Sequence, residues 1–86
     1  MNARYQVVFD RRAEKSLKSL PGSEQRRIEN AIDGLAINPR PNGAIKMTGV
    51  PSWRLRVGDY RVIYDVHDKV LTVLVLKIGH RREIYR

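Results

Sequence analysis

The chain alternates between two hydrophobic rhythms. RYQVVF, residues 4–9, is rich in strand formers and sets Tyr, Val and Phe at every second position, which predicts a first strand. Asp10 follows in an N-cap position for a helix running to about Leu20, whose Ala13, Leu17 and Leu20 recur at i, i+4 and i+7 on one face. Pro21-Gly22 breaks that helix, and Ser23 is the expected N-cap of a second. There Ile28, Ile32 and Leu35 repeat the spacing until Asn38-Pro39 ends it. Two short amphipathic helices joined by a tight turn need a sheet to cover. After the loop NPRPNG, residues 38–43, come AIKMTGV, the stretch WRLRVGDYRVIYDV at residues 53–66, a turn near His67-Asp68-Lys69, and VLTVLVLKI. The last run is almost continuously apolar, as in a strand buried on both faces.

WRLRVGDYRVIYDV carries the most information. Gly58-Asp59 lies between two alternating runs, and glycine in the first loop position signals a type II′ hairpin. A two-residue loop fixes the register, so Val57 faces Tyr60, Arg56 faces Arg61, Leu55 faces Val62 and Trp53 faces Tyr64. Trp53, Leu55, Val57, Tyr60, Val62 and Tyr64 then form a core face. Arg54, Arg56, Arg61 and Ile63 form the other. Like charges directly opposite one another destabilise a sheet, so the pairing of Arg56 with Arg61 is either tolerated in solvent or held for an anion.

The order β-α-α-β-β-β gives an α+β domain in which a two-helix hairpin packs on an antiparallel-rich sheet. Eighty-six residues make a single domain, 1–86. No repeat, linker or low-complexity segment interrupts it. There is no cysteine, which excludes disulfides and thiolate metal sites. VLTVLVL is too short to cross a bilayer and the N-terminus lacks a signal-peptide core, so the expectation is a cytoplasmic protein without membrane attachment. The formal net charge of +8 weighs more. Residues 44–86 hold nine Lys/Arg against four Asp/Glu, and residues 1–43 hold eight against five. Such an excess suggests nucleic acid, an acidic protein partner, or both.

No P-loop, metal-ligand cluster or nucleophile motif is present, and no cofactor is expected. His67 sits beside a turn as an exposed polar residue. The remaining chemistry is cationic: Arg54, Arg56 and Arg61 on one hairpin face, then Arg81, Arg82 and Tyr85 near the end. Arg81 and Tyr85, four apart, share a face in either a helix or a strand. Guanidinium forks match phosphate geometry and remain charged at every relevant pH. Beside a phenol that moves a proton, they supply what metal-independent phosphodiester cleavage needs.

WRLRVGDYRVIYDV, the upstream KMTG and the ending IGHRREIY together resemble the RelE family of toxins from bacterial type II toxin–antitoxin systems. The two helices with an LP turn between them fit the same pattern. The resemblance implies a RelE-like fold and a ribosome-dependent mRNA endonuclease acting in the ribosomal A site. In that reaction the RNA 2′-hydroxyl attacks the adjacent phosphate with neither metal nor cofactor, and translation stops. It also implies a cognate acidic antitoxin that wraps and inhibits a toxin monomeric when alone. Position by position, the family's basic active-site residues fall on Arg54, Arg61 and Arg81, and its C-terminal tyrosine falls on Tyr85. Ser52 stands where lysine-rich members place a lysine, which argues against a neutral lysine base. His80 is a second candidate for proton transfer. Lys46, Arg56 and Arg82 are candidates for contacting RNA. With Trp53, Tyr60 and Tyr64 committed to the core, few aromatics remain to stack on bases, which suits a toxin whose substrate the ribosome presents. Two alternatives stay open: a ParE-like toxin that inhibits gyrase without nuclease activity, and a plain basic nucleic-acid-binding module.

Overall fold

In a computed structural model that describes residues 4–80, a five-stranded sheet carries both helices on one face. The elements in chain order are β1 (Gln6–Phe9), α1 (Arg11–Lys18), α2 (Gly22–Leu35), β2 (Ile45–Lys46), β3 (Trp53–Val57), β4 (Tyr60–His67) and β5 (Thr72–His80). The sheet order is β1-β5-β4-β3-β2. β1 runs parallel to β5, and the other three pairings are antiparallel. The parallel pair needs a long crossover, which the helices and the β2–β4 meander supply. Relative to the order read from the sequence, the two-residue β2 is an additional strand.

The helices lie where the periodicity puts them, with different ends. The Asp10 side chain caps α1 by accepting from the Arg12 N–H at 2.9 Å. The helix stops at Lys18, two residues short of Leu20. α2 begins one residue before the expected Ser23 cap: Pro21 is its N-cap, and the Pro21 carbonyl accepts the first helical bond from the Gln25 N–H at 2.9 Å. Proline lacks an N–H and has a preset φ, so it loses nothing in that place. Ala13 and Leu17 of α1 and Ile28, Ile32 and Leu35 of α2 are buried against Leu55, Val57, Val62, Tyr64, Val73, Val75 and Ile78 of the sheet.

The β3–β4 hairpin has the register read from the sequence, with Arg56 opposite Arg61 and Trp53 opposite Tyr64. Gly58 has φ +62°, and Asp59 has negative φ, which together fit a type II′ loop. β5 departs from the expectation of burial on both faces. Val73, Val75 and Ile78 are buried, but Leu74 and Leu76 are half-buried and Lys77 is exposed. The helices cover only one side of the sheet, so the second apolar row of this strand has partial cover. A bulge explains the alternation: Tyr64 pairs with Val75 while Ile63 pairs with Lys77, leaving Leu76 as an extra residue. Without it Lys77 would enter the core; with it Ile78 does. No helix among the described residues is long and apolar enough to cross a membrane.

Candidate nucleic-acid interface

The type II′ loop decides what the helix-free face of the hairpin presents. Cross-strand partners share a face, so Arg54, opposite Ile63, and Arg56, opposite Arg61, all emerge on the side away from the helices. Gly43 from the 38–43 loop and Ile45 of β2 complete a concavity of about 280 Å³ walled by Arg54, Arg56 and Arg61. Arg54 and Arg61 are half-buried and Arg56 is exposed. The Arg56 Nε donates to the Gly58 carbonyl at 3.1 Å, which curls this side chain around the hairpin tip. Three guanidiniums line one hollow, two of them directly opposed, and guanidinium forks match the geometry of phosphate.

The structure does not bring every candidate to this hollow. The bulge in β5 places Gly79 opposite Arg61 and His80 opposite Tyr60, so the His80 imidazole belongs to the helix side of the sheet. There it meets the Tyr60 ring edge-on, with centroids 5.7 Å apart. Lys46 pairs with Trp53, and its Nζ donates to the Val50 carbonyl at 2.7 Å, binding down the turn between β2 and β3. Ser52 is buried, and its hydroxyl donates to the Asp65 carboxylate at 2.7 Å, a satisfied hydroxyl–carboxylate pair. Arg81, Arg82 and Tyr85 lie outside the described residues.

Sequence reading missed Arg27. It lies on α2, far from the hairpin in the chain, yet a Cβ placed on Gly58 would stand 2.9 Å from its Nη1. Glycine is favoured at 58 by the positive φ, and the movable end of the Arg27 side chain lies against the turn. Only the exposed position of Arg27 on the polar face of α2 could have hinted at this.

A second polar cluster holds the loop that walls the site. Arg40 grips Asp68 with two hydrogen bonds of 3.2 and 2.7 Å, and the Tyr5 hydroxyl donates to the same carboxylate at 2.6 Å. The Arg40 hydrogen bonds, then that of Tyr5, pull the Asp68 carboxyl down to about 2. Asp68 in turn raises the Tyr5 phenol and the Arg40 guanidinium above their ordinary values. The Arg40 guanidinium also lies 5.6 Å from the Trp53 ring centroid. One residue earlier, the Pro39 carbonyl accepts from the Tyr64 hydroxyl at 2.8 Å, and burial pushes that phenol up to about 12. Both ties fix the segment leading to Gly43 and Ile45.

This arrangement of two helices on a five-stranded sheet is found in known proteins. The chain superposes on one chain of the crystal structure of an archaeal RelE–RelB complex from Pyrococcus horikoshii with a TM-score of 0.82 and 35% identity, covering 93% of this chain and 98% of that one. The architecture is thus that of a RelE-like α+β toxin. A family model described as the ParE toxin of the type II toxin–antitoxin system parDE matches residues 7–85, and the chain belongs to this toxin family. Among curated relatives, toxin RelG of Mycobacterium tuberculosis is 31% identical over 95% of this chain and 97% of its own length. The mRNA interferase toxin RelE of Escherichia coli is 30% identical over 94% and 90%. Those relatives make the chain a toxin of the RelE type.

Proposed function

We propose that the protein is a ribosome-dependent mRNA endonuclease that arrests translation in the cytoplasm until a cognate acidic antitoxin binds it. The observation that carries this reading is the convergence of Arg54, Arg56 and Arg61 on one hollow of the helix-free face. In the reaction the 2′-oxygen bonds to the adjacent phosphorus as its proton leaves, and the P–O5′ bond breaks as O5′ gains a proton. Negative charge grows on the non-bridging oxygens, where Arg54 and Arg61 neutralise it without a metal or cofactor. Arg56 holds a neighbouring phosphate. Arg81 adds charge from the tail, Tyr85 moves the proton, and Arg82 and Lys46 contact RNA farther out. The RelE–RelB complex of the archaeal neighbour supports an antitoxin partner, and the activity named for the E. coli relative supports the substrate.

In-vitro translation with added protein, followed by mapping of mRNA 5′ ends, tests the proposal. Cuts confined to translating messages are expected. The ParE description of the matching family favours a second reading, gyrase inhibition without nuclease activity. Intact messages together with blocked DNA supercoiling would establish that reading instead.

A further inference from the structure

We propose that the RNA-binding surface continues past the arginine hollow, over the hairpin tip, into the groove between α2 and β3, where Arg27 binds a second backbone phosphate. This inference rests on reading the protein as one that acts on RNA. Arg56 is the link. It walls the hollow with Arg54 and Arg61, and it also lines two further concavities that open on the other side of the tip, each shared with Arg27 and Gly58.

These two concavities differ in charge. One, of about 450 Å³, includes Glu24 and Asp59 beside Arg27 and Arg56, so its charges nearly cancel. The other, of about 430 Å³, contains no acidic side chain; Arg27 and Arg56 stand over Ala31, Pro41, Leu55 and Val57. An apolar floor under two guanidiniums suits a nucleotide strand, with base faces on the floor and phosphates on the arginines. Arg27 is exposed, so its guanidinium donors can reach a ligand from solvent. The track is therefore Arg61 and Arg54, then Arg56 at the tip, then Arg27. β2 reaches only as far as Arg54 along β3, so among the described residues no strand covers Leu55–Val57 on that side.

The test compares binding of two uncleavable RNAs, 2′-deoxy at the attacking position, to the whole chain and to Arg27→Gln. One is a dinucleotide that fills only the hollow, and the other is long enough to round the tip. Arg27→Gln should weaken the longer RNA by about tenfold, as loss of a charge-assisted contact does. Its salt slope should fall by about 0.7, the value of one phosphate on a single strand. Dinucleotide affinity and melting temperature should stay unchanged, and Arg27→Lys should keep most of the slope. Equal affinity of wild type and Arg27→Gln for the longer RNA overturns the proposal, as does equal loss of both RNAs. Failure of the wild type to bind the longer RNA more tightly than the dinucleotide also overturns it, as does a greater loss by Arg27→Gln for a polyglutamate peptide than for RNA. The nuclease reading fails separately: a wild type that binds RNA along this track yet leaves translated messages uncut refutes that reading alone.

Discussion

Arg56 and Arg61 face one another across the hairpin ladder, and like charges directly opposite one another destabilise a sheet. Arg61→Gln should therefore fold as well as wild type or slightly better, while losing growth arrest. Sulfate or phosphate should raise the melting temperature of wild type more than that of the variant. An unfolded Arg61→Gln chain would make this arginine structural. At the tip, Gly58 holds φ +62° with Arg27 against it. Gly58→Ala should cost about 1–2 kcal/mol for the left-handed conformation, seen as a lower denaturant midpoint with an unchanged slope. The proton-moving group is the third test at this scale. His80 lies on the helix side of the sheet, opposite Tyr60, whereas the arginine hollow opens on the other side. His80→Ala should leave single-turnover cleavage on the ribosome within a few fold. Tyr85→Phe should slow it by about 10²-fold or more, the usual loss when acid–base help is removed. The reverse ranking would assign the proton to His80.

Elements depend on long-range ties as well as on local pattern. The Arg40–Asp68–Tyr5 cluster joins the 38–43 loop, the turn before β5 and the chain entering β1. Asp68 titrates at about 2 against an ordinary 3.8, so the stability it supplies is complete above the ordinary value and is lost as pH falls through about 2. Thermal melts from about pH 5 down to about pH 2 should show wild type losing its advantage over Asp68→Asn across that window; parallel curves would remove the cluster from the account. No sequence pattern announces this tie, because Arg40 and Asp68 stand 28 residues apart in unrelated turns. The hairpin was legible because a two-residue loop ties register to spacing, and burial of the predicted helix faces followed from periodicity alone. The face of His80 was less legible. It depends on a one-residue bulge at Leu76, and Lys77 after an apolar run was the available clue. Arg27 was hidden for a similar reason: its partnership with the hairpin exists only once α2 packs on the sheet.

Across the whole molecule, the +8 charge should govern how fast partners arrive more than how long they stay. Four arginines run along the proposed track, and among the described residues that line these concavities the acidic ones share only the neighbouring, charge-balanced one. An inhibitor that competes with RNA for this surface is expected to carry carboxylates and to be partly disordered before binding, so that it can wrap over the hairpin tip. Its encounter with the toxin should then be accelerated by long-range attraction, which salt screens within roughly 8 Å at physiological ionic strength. Any apolar contacts it makes once bound would be indifferent to salt. Stopped-flow association measured from low to physiological ionic strength should show the on-rate falling by about tenfold or more, with the off-rate nearly constant. Replacing Arg27 and Arg56 together with Gln should flatten that salt dependence, because both sit where the proposed track rounds the tip. A steep salt dependence retained by the double variant would mean that the antitoxin is drawn to another basic region, and that its inhibition does not act by covering this surface.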